Sequence, residues 1–148
     1  MGYRSEVASA IYGSKNAMQE FMQEHEILVN YIQNEFSVDV KVYDVEGRTF
    51  ISLYQDFVKW YDSFDEVQAW HDLLDKAQEA GLNTEFLRVG ESAEGDIEQD
   101  YHGDDCKYYL EPKVGISNYL PKPKATTEPD PIAQVLGAGW GVANLGST

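Results

Sequence analysis

The chain has 148 residues, a formal net charge of −15 and 43% hydrophobic residues. That length suits one domain with a buried core, and the apolar and aromatic content excludes a disordered acidic chain. The negative charge disfavours direct binding to nucleic acid or to an anionic membrane, and it favours basic protein surfaces or cations as partners. Cys106 is the only cysteine, which excludes an intrachain disulfide. Since no apolar signal or membrane segment is visible, we expect a cytoplasmic protein.

The first part of the chain predicts a strand followed by a helix. Residues 3–12 are typical of a strand, and Ser14 is a suitable N-cap for a helix. Apolar residues then recur at helical spacing, with His25 on the same stripe, to an end near Asn34. We therefore expect one continuous helix after the first strand.

A hairpin, a second helix and further strands are predicted next. The hairpin comprises strands at residues 38–43 and 48–58 around a turn at 44–47. Ser63 and Glu66 match a capping box for the second helix, and Gly81 suits its C-terminal end. Residues 84–89 predict a fourth strand, and residues 106–110 a fifth that could continue through Val114 and Ile116.

The order β-α-β-β-α-β, plus a final strand, predicts an α+β fold. We expect the ferredoxin-like form, with two helices on one face of an antiparallel sheet and an extended C-terminal tail. The predicted divisions are an acidic domain at residues 1–117, a proline-rich linker at 118–131 and an apolar, glycine-rich docking tail at 132–148. The apolar tail contains Trp140, so it should dock either on its own domain or on another chain.

The densest acidic run lies between Gly90 and Asp105 and contains no lysine or arginine. Its carboxylates are Glu91, Glu94, Asp96, Glu98, Asp100, Asp104 and Asp105. An EF-hand loop starting at Asp96 is excluded, because Tyr101 stands where glycine is needed and Lys107 where glutamate is needed. An irregular cation site remains an alternative, but we favour a solvated acidic surface without a metal. The residues of that alternative are Asp100, His102, Asp104 and Asp105.

No residue pattern indicates an enzyme or a cofactor. His71 and Asp72 are adjacent on a predicted helix and point in different directions, so they are not a catalytic pair. Acidic neighbours should raise the pKa of Cys106, which disfavours a reactive thiolate. No phosphate-binding glycine loop or hydrolase motif is present. A dense aromatic group could form a binding platform, although we favour core packing. Its members are Tyr54, Phe57, Trp60, Tyr61 and Phe64.

Three short segments carry a resemblance to known proteins. They are Gly2-Tyr3-Arg4-Ser5-Glu6-Val7-Ala8, Phe86-Leu87-Arg88-Val89-Gly90-Glu91 and Gly95-Asp96-Ile97-Glu98. These segments resemble those of small acidic proteins from tailed bacteriophages, and the resemblance extends over about residues 1–117. It implies a phage or prophage accessory protein acting in the host bacterial cytoplasm, or a minor virion component. The resemblance supplies no catalytic residues.

The acidic charge and the resemblance together predict a non-enzymatic phage protein that binds and inhibits a host protein. The host partner would be a defence factor or a nucleic-acid-handling protein with a basic surface. The predicted partner-binding residues are Glu91, Glu94, Asp96, Glu98, Asp100, Asp104, Asp105 and Trp140. One alternative is a minor virion or assembly protein that forms a homo-oligomer through its tail. Another is a module that sequesters a small molecule or nucleotide with Arg4, Arg48 and Arg88.

Overall fold

The computed structural model describes residues 4–90, 96–113 and 115–123. Within these ranges the chain forms a five-stranded sheet, a separate two-stranded hairpin and three α-helices. The strands are β1 (Ser5–Ser14), β2 (Val40–Val45), β3 (Arg48–Val58), β4 (Asn83–Gly90), β5 (Ile97–His102), β6 (Leu110–Lys113) and β7 (Gly115–Asn118). The helices are α1 (Lys15–Glu24), α2 (Glu26–Phe36) and α3 (Asp65–Glu79), with a 3-10 turn at Ser37–Asp39.

The sheet has the strand order β2-β3-β1-β4-β5, and all neighbouring strands are antiparallel. Its central strand is β1, where Ile11 lies opposite Ile51 of β3 and Thr84 of β4. The predicted α+β class and antiparallel sheet are therefore confirmed. The predicted fifth strand at residues 106–110 is wrong, because that segment is irregular up to Leu110. Its possible continuation overlaps β6 and β7, which form the separate hairpin. The fifth strand of the sheet is instead β5, which lies inside the acidic run.

One face of the sheet is covered by all three helices. Buried residues of each helix join one core cluster with the side chains that β1, β3 and β4 direct to this face. Trp70 of α3 and Met18 of α1 are fully buried within it. No helix among the described residues is long and apolar enough to cross a membrane.

The predicted first helix is two helices, with a break at His25. This residue has φ −114° and ψ 36°, outside the helical region. Its N–H donates to the Phe21 carbonyl at 3.0 Å, and its carbonyl accepts from the Val29 N–H at 2.9 Å. The break is thus a single-residue bend, and it leaves the apolar side chains of both helices on the sheet.

The predicted helix starts have different outcomes. Ser14 caps α1 as expected, accepting a hydrogen bond from the Ala17 N–H at 3.2 Å. The predicted capping box at Ser63 and Glu66 is wrong, because Phe64 is the N-cap residue of α3 and makes no side-chain capping bond. The Phe64 ring packs against the core, which fixes the entry to α3 through apolar contact instead.

The predicted end of α3 is confirmed, whereas the predicted start of β2 is not. Gly81 has φ +81°, and the Leu82 N–H donates to the Ala77 carbonyl at 3.0 Å, which is the Schellman arrangement. Val38 lies in the 3-10 turn before β2 and is 78% exposed. The alternation of valines therefore extended the predicted strand by two residues beyond its true start.

The other face of the sheet is covered by the chain that follows β5. Leu110 of β6 is buried against β1 and β4, and Leu120 packs on the cluster that contains Tyr12 and Phe50. Leu120, near the start of the predicted linker, thus contacts the sheet. The predicted division into three segments stays a prediction, because residues 124–148, including Trp140, lie outside the described part of the chain.

Candidate partner-binding surface

β5 forms one edge of the sheet and carries two of the predicted partner-binding residues, Glu98 and Asp100, while Asp96 lies directly before it. It pairs with β4 along its length, and Tyr101 ties it to β6 by donating to the Leu110 carbonyl at 2.8 Å. Its side chains from Ile97 to Asp100 are all exposed. Because a strand alternates its side chains, Glu98 and Asp100 lie on the face of the sheet that the helices cover.

Arg88 of β4 binds two of the predicted carboxylates. Its guanidinium lies 3.0 Å from Asp96 and 2.6 Å from Glu98, and it also donates to the Ser5 hydroxyl at 2.9 Å. The Arg88 side chain is only 14% exposed, whereas that of Glu98 is 61% exposed. The fold therefore holds these carboxylates in fixed positions on a largely buried cation while leaving Glu98 open to solvent.

The turn after β5 carries the last two predicted carboxylates. Asp105 lies 2.9 Å from Arg48 and 3.0 Å from Lys107. The hydrogen bond to Lys107, with the positive charges of Lys107 and Arg48, lowers the pKa of Asp105. Asp104 is exposed and forms no ion pair with any residue that the structure describes.

Five of the predicted residues lie in the described part of the chain, along β5 or directly before and after it. They are Asp96, Glu98, Asp100, Asp104 and Asp105, which we call the acidic edge. Glu91, Glu94 and Trp140 fall outside the described residues. Asp100 pairs with His102 at 2.9 Å, as two neighbours on one face of β5. Across the described ranges, no group of three His, Cys, Asp or Glu side chains is placed to hold a metal ion.

A groove of about 500 Å³ runs between α3 and the acidic edge. Its apolar floor includes Phe86, whose ring centroid lies 4.8 Å from that of His71. Three carboxylates line it, namely Asp75 of α3 with Glu98 and Asp100 of β5. An aromatic floor with carboxylate walls is the chemistry that accepts a long basic side chain.

Sequence reasoning missed a buried carboxylate on the opposite face. Glu85 of β4 is fully buried, and its carboxylate accepts from the Tyr12 hydroxyl at 2.6 Å. It also accepts from the main-chain N–H groups of Tyr109 and Leu110, each at 3.1 Å, and lies 3.6 Å from the Cys106 sulfur. The only sequence signal was an acidic residue directly before the apolar pair Phe86-Leu87 of a predicted strand.

The buried surroundings shift the pKa values of the groups around Glu85. Burial raises the pKa of Tyr12, and its hydrogen bond to Glu85 raises it further. Burial also raises the pKa of the Cys106 thiol, as the sequence led us to expect, although the expected cause was the neighbouring acidic residues. A half-buried neutral thiol and a fully bonded carboxylate fit a structural role, which fastens residues 106–110 to the sheet.

The three arginines of the alternative ligand pocket do not meet. Arg48 lies opposite Ser14 at one end of β1, and Arg88 lies opposite Val7 near the other end. Arg4 lies over the ring of Phe57, with its guanidinium carbon 5.2 Å from the ring centroid. The described residues therefore offer no site shared by these arginines.

The aromatic group divides between the core and the surface. Trp60 is buried among the core residues and Phe64 packs beside them, whereas Phe57 and Tyr54 are exposed. Core packing therefore explains only part of the group.

Compared with known proteins, the chain matches no protein-family model, no curated protein and no solved structure.

Proposed function

We propose that this protein binds and inhibits a host protein through the acidic edge. The supporting observation is the position of β5 at the edge of the sheet, where its carboxylates are exposed along one line. A surface of this kind attracts a basic partner over several ångströms, and the attraction weakens with salt. The resemblance to phage proteins favours a host defence or nucleic-acid-handling protein as the partner, in the bacterial cytoplasm.

Internal ion pairs leave the acidic edge able to bind further cations. Each carboxylate has two oxygens and about four acceptor positions, so one contact with Arg88 does not saturate Glu98. Asp100 and Asp105 are both more than half exposed despite their pairing with His102 and Arg48. The internal cations fix the geometry of the surface, which lowers the entropic cost of binding.

Charge reversal on the acidic edge tests the proposal. The triple variant is Glu98→Gln, Asp100→Lys and Asp104→Lys. Position 98 takes glutamine, because a lysine there would face Arg88. Protein captured from bacterial lysate is eluted with a salt gradient, identified by mass spectrometry and assayed for inhibition. We expect the native protein to retain and inhibit a partner with a basic surface, and the variant to lose both properties.

A matched control places the same change of charge elsewhere. Glu20→Gln, Glu24→Lys and Glu35→Lys alter exposed positions on α1 and α2. This control should keep the partner. If both variants keep it equally well, the acidic edge is not the binding surface.

A structural role is the second candidate, with assembly through the C-terminal tail. Its support is Leu120, which lies in the predicted linker and packs on the sheet. Deletion of residues 124–148 should abolish assembly under this alternative and leave inhibition intact under the first. Light scattering and the inhibition assay together distinguish the two.

The ferredoxin-like form is also a proposal for this fold. Its support is the order β2-β3-β1-β4, in which β1 and β3 are central and each is followed by helices. β5 extends this order at one edge. An experimental structure compared with ferredoxin-like domains would test the assignment.

A further inference from the structure

We infer that the open edge of β5 binds an extended, basic segment of the partner as an added β-strand. The inference rests on the proposed function and gives the mode of binding and the chemistry of the partner. A sheet edge offers a row of unpaired main-chain groups, which supply affinity, while alternate side chains supply specificity.

The hydrogen-bond pattern identifies the main-chain groups that are open. The Gly90 N–H donates to the Asp96 carbonyl at 2.9 Å, so these two residues face each other as a bonded pair. Antiparallel pairs alternate between bonded and non-bonded, and the register of β4 and β5 is continuous from this point. The main chain of Glu98 and Asp100 therefore points to β4, and that of Ile97 and Gln99 points outwards. No described residue hydrogen-bonds to the outward groups of these two residues.

The other edge of the sheet is less accessible. β2 has buried residues at both ends, Val40 and Val45, and Leu120 packs on the cluster that contains Val45. In β5 the first four residues are all exposed, and only Tyr101 is partly covered. An incoming strand therefore has its better site at β5.

Charge excludes a second copy of the chain as the added strand. Carboxylates occupy every second position from Asp96 to Asp100, on one face. Two antiparallel copies of β5 that matched their faces would place carboxylate opposite carboxylate, which is destabilising. A segment with lysine or arginine at alternate positions would instead place a cation opposite each carboxylate, and an apolar residue beside Ile97.

The groove between α3 and β5 gives such a segment a specific contact. A basic side chain that faces Asp100 points to the helix-covered face, where Asp75 and the rings of His71 and Phe86 line the groove. There it meets carboxylates and an aromatic surface together. A strand that alternates basic and apolar residues thus matches both faces of the edge.

Two probe peptides separate strand addition from simple charge attraction. Both are short, capped peptides of alternating lysine and valine, and one is N-methylated at every second residue so that one edge cannot donate hydrogen bonds. Binding is measured by fluorescence anisotropy at physiological ionic strength. We expect the methylated peptide to bind about tenfold more weakly, because it loses several main-chain hydrogen bonds.

A proline substitution tests the same edge from the protein side. Gln99→Pro removes an outward N–H while leaving the bonds between β4 and β5, and Gln99→Ala keeps that N–H as the matched control. We expect Gln99→Pro to lose the advantage of the unmethylated peptide and Gln99→Ala to keep it. Circular dichroism checks that both variants are folded, and the peptide pair remains a test of the native protein if Gln99→Pro is not.

The outcomes separate this inference from the proposed function. Equal, salt-sensitive binding of both peptides would overturn strand addition and leave charge-driven binding standing. Absence of binding by either peptide would also overturn it, and the carboxylates would then serve only to prevent pairing at the edge. If the protein captures no basic partner from lysate but still binds the unmethylated peptide more tightly, the result would count against the proposed inhibition alone.

Discussion

The carboxylate of Glu85 accepts a 2.6 Å hydrogen bond from the hydroxyl of Tyr12, and both side chains are fully buried. Ala10 lies directly opposite Glu85, so Tyr12 is its diagonal neighbour on the same face of the sheet. The Tyr12 oxygen in turn accepts from the Lys107 N–H at 2.7 Å. This pair therefore joins β1 and β4 to the irregular segment that follows β5.

Replacing Glu85 with glutamine should destabilise the protein. The amide would place a donor where the native carboxylate accepts from Tyr12, Tyr109 and Leu110, leaving at least one buried group without a partner. We expect the free energy of unfolding to fall by about 3 kcal/mol. Urea denaturation measures it, with Glu79→Gln at an exposed position as the control. A loss as small as that of the control would mean that the carboxylate is not needed to hold the segment.

Stability should decline at alkaline pH because of Tyr12. Burial, followed by the hydrogen bond to Glu85, raises the pKa of Tyr12 above the ordinary value of 10.0. The folded state therefore keeps its proton where the unfolded state has lost it. The contribution is complete below pH 10.0 and is lost as the pH rises towards the folded pKa, at about 1.4 kcal/mol per pH unit.

Urea denaturation between about pH 9 and about pH 11 measures this decline. The Tyr12→Phe variant should be less stable at neutral pH but should show a shallower alkaline decline. Equal slopes for the two proteins would show that Tyr12 is not the group responsible. Other tyrosines, including Tyr43 and Tyr101, also have raised pKa values and would account for the decline that remains.

The thiol of Cys106 should react slowly while the protein is folded. Burial raises its pKa, and its sulfur lies 3.6 Å from the Glu85 carboxylate, so little thiolate is present at neutral pH. We expect the rate with a disulfide reagent to be on the order of tenfold lower than in the urea-unfolded chain. Release of the coloured thiol product measures both rates. Equal rates in the two states would mean that the segment after β5 opens readily.

Gly103 should not tolerate a larger residue. It has φ +118°, and an added Cβ would lie 2.7 Å from the Cα of Asn83. Asn83 accepts from the Asp105 N–H at 3.1 Å, so a shift there would disturb the turn of the acidic edge. We expect Gly103→Ala to lower the free energy of unfolding by about 3 kcal/mol.

Gly47→Ala provides the comparison for that change. Gly47 also has a positive φ, +81°, but an added Cβ would meet nothing within 4 Å. Its loss should be about 1 kcal/mol, from backbone strain alone. Chemical denaturation of both variants separates contact from strain, and equal losses would show that the contact with Asn83 is easily relieved.

Local patterns predicted most of the sheet but not its acidic edge strand. Strands β1 to β4 carry apolar residues at regular spacing, because their buried side chains must be apolar, and this spacing is visible in the sequence. β5 has no such pattern, since Ile97 and Tyr101 are its only apolar residues and the rest are polar or charged. Its strand conformation comes from pairing with β4, which local propensity does not report.

The sequence showed the carboxylates of the acidic edge but not the cations that pair with them. The acidic run has no lysine or arginine within it, yet the fold brings Arg88 to Asp96 and Glu98, and Arg48 to Asp105. Both cations lie outside the run, on β3 and β4, so the composition of the run gave no indication of them. The surface is consequently less negative, and more rigid, than the sequence alone indicated.

The amino-acid sequence alone was enough to predict the α+β class, the strongly acidic character and the first four strands of the sheet. These properties follow from composition and from local periodicity, which depend on near neighbours along the chain. The edge position of β5, the burial of Glu85 beside Tyr12 and the pairing of the acidic edge with Arg88 and Arg48 became apparent only in the folded chain. Each of these depends on strand pairing and burial, because residues distant in sequence become neighbours only when the sheet is assembled.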